Sequence, residues 1–212
     1  MAMGYPNPDE IEITIATLLI DEMQNKASDE SIIRESIKTA HGVDFIPSSI
    51  ALADVENLLI NTMSRDNVLN RFLKKIKDNY DYILIDCLPS LNLLTVNALT
   101  ASDSVIIPVQ AQYFSAKGLE SLLETITAVR KNLNPNLRIA GALITMLDKR
   151  SSGQEQIIDI ISASYGSFLK VYNSIIPLSV KVSDNQSKGL TMVEESKNAV
   201  SKAYQELALE VI

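Results

Sequence analysis

The chain has 212 residues, of which 46% are hydrophobic, so it is long enough to bury one sizeable core and too short for two independent domains to be expected. Its formal net charge is −7 and its sequence pI is about 4.8, so the molecule as a whole repels nucleic acid and any such contact must be local. A single cysteine excludes an internal disulfide framework, and no apolar run approaches the roughly 18 to 20 residues of a membrane span. We therefore expect a single-domain cytoplasmic protein.

The first third of the chain predicts short helices around one short strand. Residues 1–10 contain two prolines and no periodicity, which is typical of a loop. Val43–Pro47 is a strand candidate bounded by a glycine and a proline. Apolar residues recur at near-helical spacing in four segments: Ile11–Asn25, Ser31–Ala40, Leu52–Met63 and Val68–Lys77.

From residue 82 onward, apolar strands alternate with helices. The predicted strands are Tyr82–Ile85, Val105–Val109, Arg138–Met146 and Val171–Ile176, and the later ones are separated by predicted helices at Lys117–Leu133 and Gln154–Ser164. Strands that are apolar on both sides and alternate with helices indicate a mostly parallel sheet covered on both faces. The fold class is therefore α/β, doubly wound, with residues 1–212 forming one domain.

The stretch DNYDYILIDCLPSLNLLTVNAL places Asp86 directly after a predicted buried strand. In open parallel sheets, ligands bind outside the carboxyl ends of the strands, where a carboxylate commonly holds a Mg²⁺-bound water. The alternative is an aspartate that begins a loop and caps the helix near Leu93. The strand-plus-aspartate pattern alone leaves both interpretations open.

Three ordered segments around Asp86 carry a resemblance: YDYILIDCLPSLNLLTVNAL, SDSVIIPVQAQYFSAKGLESLLETI and LRIAGALITMLDKRS. Together with VDFIPSSIALADVENLL upstream and SIIPLSVKVSDNQSKGLTM downstream, they resemble the ParA/Soj family of partition ATPases, which belong to the deviant-Walker group of P-loop proteins. Several ordered motifs over roughly 170 residues make this likeness far more specific than a lone glycine motif.

The resemblance implies a P-loop NTPase-like fold and a homodimer that depends on ATP and Mg²⁺. The dimer would bind DNA without sequence preference in the cytoplasm, at the nucleoid, and release it on hydrolysis stimulated by a ParB/Spo0J-like partner. By the same resemblance, Asp86 matches the Walker B or switch II aspartate that organises Mg²⁺, with Pro89 and Ser90 in the switch turn. Leu88 stands where the family usually has a second proline.

The resemblance also implies roles for residues in the later loops. Thr145, Met146, Asp148 and Pro177 match the nucleotide-binding edge, and Arg150, Lys181 and Lys188 match DNA-contacting positions. A solvated charged loop is the alternative for 148–150. Leu178 replaces another frequent arginine, so the basic patch is thinner than the family pattern.

Two family motifs are absent from the 212 residues: a GxxxxGK[ST] phosphate loop, and an aspartate-rich stretch that positions the attacking water. We expect an N-terminally truncated chain that cannot hydrolyse ATP. The strand that carries the phosphate loop is central in such sheets, so we also expect the chain to be unstable as a monomer or to self-associate. The alternatives are a non-catalytic interaction or regulatory module of the same fold, and another ATP-dependent enzyme such as a small-molecule ligase.

Other candidate chemistry is sparse. Cys87 lies next to Asp86, but His41 is the single histidine and lies in another predicted loop, so we expect an inert, buried or half-buried thiol and no transition-metal cluster. The C-terminal stretch NAVSKAYQELALEVI has helical spacing, with Glu206 and Glu210 against Lys202. A membrane-targeting tail of the MinD type would be basic, so we predict a helix that packs on the core.

Overall fold

The computed structural model describes residues 10–26, 30–88, 90–110, 113–148, 158–159, 163, 165–166, 169–193 and 198–212. The chain forms two compact units. Unit 1 contains the residues up to Ser102 together with Thr125–Leu137, and unit 2 contains Asp103–Glu124 and Arg138–Ile212. In the described part of the chain, no helix is both long enough and apolar enough to cross a membrane.

Unit 1 is largely helical. Its elements in chain order are α1 (Ile15–Met23), α2 (Glu30–Ser36), β1 (Lys38–Ala40), β2 (Val43–Phe45), α3 (Leu52–Ile60), a 3-10 turn (Arg65–Asn67), α4 (Val68–Leu73), a second 3-10 turn (Lys77–Asn79) and α5 (Leu93–Ala101). The apolar stripes of these helices meet in one core, whose most completely buried side chains include Leu18, Val55, Leu59, Val68 and Phe72. The four helices predicted here are therefore present, with shorter bounds.

One of those predicted helices ends earlier than expected. The helix predicted over Ser31–Ala40 stops at Ser36, and Lys38–Ala40 instead pairs antiparallel with Val43–Phe45. The connecting residues His41 and Gly42 both have positive φ, 52° and 75°, which is the backbone of a tight two-residue hairpin turn. This turn lets the polar KTA segment form a strand that its sequence does not suggest.

Unit 2 is built on two parallel strands, β3 (Ser104–Gln110) and β4 (Arg138–Thr145). Their register runs from Ser104 opposite Arg138 to Gln110 opposite Thr145, with an irregularity after Val105. Helix α6 (Tyr113–Asn132) lies between them in the sequence, so the β3–α6–β4 order is the βαβ unit predicted from the alternating pattern. Helices α7 (Val180–Ser187) and α8 (Ala199–Val211) follow, and Val200 and Ala203 of α8 are buried against Leu143, Tyr172 and Ile176.

Two of the predicted strands do not form. Residues 82–88 have no strand conformation, and Val171–Ile176 is reduced to isolated parallel bridges from Val171 to Ala142 and from Pro177 to Leu147. The chain nevertheless passes close to β4, since a Cβ on Gly141 would lie 2.7 Å from the Tyr172 ring and 2.9 Å from the Lys170 carbonyl oxygen. The helix predicted over Gln154–Ser164 falls for the most part outside the described residues.

Candidate functional site

The segment that leads to Asp86 lies on the surface of unit 1. Tyr82 is 67% exposed, Leu84 is 91% exposed, and the Asp86 carboxylate is exposed as well. Ile85 alone in this run packs partly against the core of unit 1. The prediction of a buried strand here was wrong, because no other described segment donates or accepts the ladder hydrogen bonds that a strand requires.

The loop after Asp86 is ordered by the start of helix α5. Asn92 is the N-cap, and its Oδ1 accepts a hydrogen bond of 3.1 Å from the amide of Thr95. The interpretation of Asp86 as the cap near Leu93 was therefore wrong, because Asn92 performs that role. Thr95 Oγ1 in turn donates to the Ser90 carbonyl at 2.5 Å, and the Ser90 amide donates to the Leu88 carbonyl at 2.7 Å.

Two predicted switch residues have different outcomes. Pro89 lies outside the described residues. Ser90 is described, and its hydroxyl oxygen is buried without a hydrogen-bond partner in the described part of the chain. A buried hydroxyl in that state is uncommon in folded proteins and marks this turn as polar but incompletely satisfied.

Helix α3 also reaches this loop, through a residue that the sequence pattern does not single out. Glu56 Oε2 accepts a hydrogen bond of 2.8 Å from Asn92 Nδ2. The signal for Asn92 is present in the sequence, since an asparagine directly before an apolar helical run is typical of an N-cap. Nothing local in the sequence pairs Glu56 with a residue 36 positions away.

Two of the residues predicted to bind nucleotide lie at the end of β4 in unit 2. Thr145 is the last residue of that strand, opposite Gln110, and Met146 follows with a positive φ of 54°. Gln110 Nε2 lies 3.2 Å from Met146 Sδ.

Pro177 approaches the same end of β4. The amide of Leu147 donates to the Ile176 carbonyl at 3.1 Å, and the amide of Leu178 donates back to the Leu147 carbonyl at 2.9 Å. Asp148, which follows Leu147 directly, is half-buried. Thr145, Met146, Asp148 and Pro177 are thus gathered at one strand end of unit 2, where a parallel sheet binds ligands.

The predicted basic positions are partly described. Lys181 is exposed on α7 and Lys188 is exposed one residue after that helix ends. Both ammonium groups are therefore on side chains that are accessible to solvent, at the two ends of one short segment. Arg150 lies outside the described residues.

Cys87 is exposed, so the expectation of a buried or half-buried thiol was wrong. Its sulfur lies 3.8 Å from the Ile85 carbonyl oxygen. Desolvation of the sulfur, with a smaller contribution from the Asp86 charge, raises the pKa of the thiol. A raised pKa leaves the protonated and poorly nucleophilic thiol at neutral pH, which does not favour covalent catalysis.

The described residues do not fit a complete site for ATP and Mg²⁺. Asp86 supplies an exposed carboxylate and Ser90 an unpartnered hydroxyl, but the sequence contains no glycine-rich GxxxxGK[ST] loop to cradle phosphates. Among the residues with described positions, no group of three His, Cys, Asp or Glu side chains is placed to hold a metal ion. Asp86 and Ser90 thus offer oxygen atoms of the kind that Mg²⁺ prefers, whereas the sequence offers no glycine-rich phosphate loop.

Comparison with known proteins gives a consistent answer. A family model described as "AAA domain" matches residues 1–139. The sporulation initiation inhibitor protein Soj of Bacillus subtilis is 41% identical over 203 residues, which cover 95% of this chain and 77% of that protein. The chromosome partitioning protein ParA of Caulobacter vibrioides is 42% identical over 200 residues, which cover 92% of this chain and 73% of that protein.

Among solved structures, cobyrinic acid a,c-diamide synthase from Mycobacterium smegmatis superposes with a TM-score of 0.80 at 27% identity, covering 98% of this chain and 74% of that one. The same enzyme has been solved with an ATP analogue and magnesium. This similarity confirms the predicted α/β fold class, and the extent of the sequence matches confirms the resemblance to partition ATPases. The chain belongs to the ParA/Soj family of chromosome-partitioning proteins, which are P-loop ATPases of the ParA/MinD type.

Proposed function

We propose that this chain acts in DNA partitioning as a ParA-type protein that binds DNA without sequence preference. The observation that carries the proposal is the identity of 41% to 42% with proteins named for chromosome partitioning or sporulation control, over more than nine-tenths of the chain. The other family properties are part of the same proposal: a homodimer, a ParB/Spo0J-like stimulating partner and a cytoplasmic location at the nucleoid.

The DNA interface in this proposal is made by Arg150, Lys181 and Lys188. The exposure of Lys181 and Lys188 supports it, since phosphates are bound by solvent-accessible cations. In an acidic molecule such a patch must act locally, within about 10 Å at moderate ionic strength.

Substitution of both lysines tests the DNA interface. Lys181→Ala combined with Lys188→Ala is expected to weaken duplex binding equally for unrelated sequences. It should also flatten the plot of log affinity against log salt by about 0.9 for each phosphate that is no longer neutralised. Fluorescence anisotropy over a salt series measures both effects. Lys202→Ala, another exposed lysine in unit 2, is the matched control, and equal binding by the double variant and this control would remove the assignment.

We further propose that these 212 residues do not hydrolyse ATP unaided. The absence of a phosphate loop from the sequence supports this, because that loop supplies the backbone amides and the lysine that bind a triphosphate, and the anionic Asp86 cannot replace them. Phosphate release with and without DNA, together with titration of a fluorescent ATP analogue, tests the point. DNA binding without nucleotide binding favours the non-catalytic module, whereas hydrolysis that disappears in Asp86→Ala would establish an ATPase.

A small-molecule ligase is the second candidate, favoured by the superposition on cobyrinic acid a,c-diamide synthase at 27% identity. A DNA pull-down separates the two candidates, because a partition protein is expected to bind DNA and a small-molecule ligase is not. The single-domain arrangement of residues 1–212 remains a prediction, as do the individual nucleotide-binding roles of Thr145, Met146, Asp148 and Pro177.

A further inference from the structure

The loop that begins at Asp86 is held at its far end by side chains from two helices. Asn92 uses both ends of its amide: Oδ1 accepts from the Thr95 amide at 3.1 Å, and Nδ2 donates to Glu56 Oε2 at 2.8 Å. The Thr95 hydroxyl then donates to the Ser90 carbonyl at 2.5 Å. These bonds form a continuous chain from α3, through Asn92 and α5, to the middle of the loop.

The bond to Glu56 differs in kind from an ordinary helix cap. The capping bond of α5 is made by Asn92 Oδ1 alone, and Glu56 acts on the other end of the same amide. A charge-assisted hydrogen bond is stronger than a neutral one, and Glu56 and Asn92 are both half-buried, which reduces screening by water. The carboxylate therefore fixes the rotamer of Asn92 from outside the helix that Asn92 caps.

The loop is also held in an arrangement that leaves one polar atom unsatisfied. Ser90 Oγ is buried and has no hydrogen-bond partner in the described part of the chain, although the carbonyl of the same residue is bonded to Thr95. Burying an unpaired hydroxyl is unfavourable, so this arrangement persists only because other interactions offset its cost. The bonds from Asn92 and Glu56 are interactions of that kind.

We propose that Glu56 is a positioning residue: through Asn92 it fixes the loop that begins at Asp86, and it thereby links the position of α3 to the position of that loop. The purpose of the loop, as the nucleotide-responsive switch of the family, rests on the proposed function. The link itself rests on three hydrogen bonds within unit 1 and is testable without nucleotide or DNA.

Amide hydrogen exchange, followed by NMR on the full chain without nucleotide, is the direct test. Glu56→Ala is expected to speed exchange at the Ser90 and Thr95 amides about tenfold, the effect of removing one charge-assisted hydrogen bond. Glu56→Gln keeps an oxygen that can accept from Asn92 Nδ2, so the exchange rates of the Ser90 and Thr95 amides should stay close to those of the unmodified chain. Exchange in α4 and β4 should be the same in all three proteins.

Exchanging the carboxylate and the amide between positions 56 and 92 gives a second, independent test of the hydrogen bond. Asn92→Asp keeps an oxygen to cap α5 but places a second carboxylate against Glu56, so loop exchange should rise. Adding Glu56→Gln to Asn92→Asp restores a hydrogen bond of opposite direction, with the glutamine donating, and should return the Ser90 amide to within about threefold of its original rate. A structural effect on α5 alone would give no such rescue.

Asp54→Ala is the matched control, because Asp54 is an exposed acid in the first turn of the same helix and its removal weakens α3 without touching the loop. It should speed exchange within α3 and leave Ser90 and Thr95 unchanged. Equal acceleration of the loop in Asp54→Ala and Glu56→Ala, or no acceleration in Glu56→Ala, would overturn the proposal. Neither result would bear on DNA binding, so the proposed function would stand or fall separately.

Discussion

At the scale of single residues, Asn97 holds two parts of unit 1 together. It is 2% exposed, and its Oδ1 accepts from the Leu69 amide at 3.1 Å. Its Nδ2 donates to the Arg65 carbonyl at 2.8 Å and to the Leu93 carbonyl at 2.9 Å. A polar side chain at the centre of a helical interface thus satisfies three backbone groups near the start of α4 and in α5.

Replacing Asn97 should be costly because the Leu69 amide would lose this partner at a buried position and the Arg65 and Leu93 carbonyls would each lose a hydrogen bond. Asn97→Ala is expected to lower the free energy of unfolding by roughly 2 to 3 kcal/mol. Urea denaturation followed by circular dichroism measures the change. The control is Asn132→Ala at an exposed asparagine whose amide bonds within α6, where a decrease below about 0.5 kcal/mol is expected. Similar decreases at the two positions would refute the interpretation.

Glu22 is a buried carboxylate with two cationic partners on the segment that begins with α4. Its side chain is 8% exposed, Lys75 Nζ donates to its Oε1, and Arg71 Nε lies 3.8 Å from its Oε2. The partners are about one-third exposed, at 34% and 30%, so water screens part of the attraction. The carboxylate itself has little access to water and depends on these cations.

Removal of the Glu22 charge should destabilise unit 1 moderately. Glu22→Gln is expected to lower the free energy of unfolding by about 1 to 2 kcal/mol, a value discounted for the exposure of Lys75 and Arg71. The same substitution at Glu30, whose side chain is 81% exposed in its pair with Arg34, should cost less than about 0.5 kcal/mol. Chemical denaturation of the two variants compares their free energies of unfolding. An equal decrease in both would show that the burial of Glu22 does not strengthen its ion pairs.

At the scale of elements, Glu210 attaches the last turn of α8 to the chain beside β4. Its Oε1 accepts from the amide of Asn173 at 2.9 Å, and its Oε2 accepts from the amide and the hydroxyl of Ser174 at 3.1 and 3.0 Å. The amide of Asn173 foremost, then Ser174 and the Lys170 cation, hold the pKa of this carboxyl below its ordinary value, against the opposite effect of desolvation.

This lowered pKa sets the direction of a pH effect. A carboxyl whose pKa is lower in the folded state stabilises the protein above its unfolded pKa of about 4.3. That stabilisation disappears as the pH falls through the folded value. Glu210→Gln should therefore flatten the acid side of the stability curve below about pH 4.5, in urea midpoints measured across pH. Glu206→Gln, an exposed acid on the same helix, should keep the original slope.

The same carboxylate explains why the strand predicted at Val171–Ile176 is interrupted. The amides of Tyr172 and Ile176 donate to the Ala142 and Ile144 carbonyls of β4, as a parallel strand would. The Ser174 amide, which at the alternate position between them would also face β4, donates to Glu210 instead. A local apolar pattern predicted the strand, but a carboxylate from a distant helix took the bonds that would have completed it.

At the scale of the whole molecule, the exposed segment 82–88 around Asp86 has the strongest predicted consequence. Tyr82 and Leu84 are 67% and 91% exposed, and Leu88 is 64% exposed. An exposed apolar segment with unpaired backbone groups is a template for pairing with another chain. We therefore predict concentration-dependent self-association of this chain, independent of nucleotide.

A charge at the centre of this segment should oppose the association. Leu84→Lys is expected to shift the dissociation midpoint, measured by analytical ultracentrifugation, to at least about tenfold higher protein concentration, because pairing would bury the ammonium. Leu209→Lys is the control, since Leu209 is 84% exposed on α8 in the other unit. A chain that stays monomeric and unfolds in two states at high concentration would contradict the prediction.

Elements could be predicted from the sequence where the signal is local and the partner is close along the chain. The helices α1, α3, α6 and α8 follow from apolar spacing, and β3 and β4 follow from apolar runs that one intervening helix brings side by side. The prediction failed at Lys38–Ala40, where a two-residue turn overrides a helical pattern, and at residues 82–85, where the predicted buried strand has no partner among the described residues. Glu56 could not be predicted, because its hydrogen bond spans 36 positions.

By itself, the sequence determined the α/β class, the family and the candidate residues, because periodicity and ordered motifs are properties of the chain alone. Only the tertiary structure decided which apolar segments have partners. Residues 82–85 have the composition of a central strand, yet all of them but Ile85 lie exposed, since a strand is stabilised by hydrogen bonds from neighbouring strands and none is present among the described residues. The hydrogen bonds of Glu56, Asn97 and Glu210 were decided in the same way, by elements that meet only after folding.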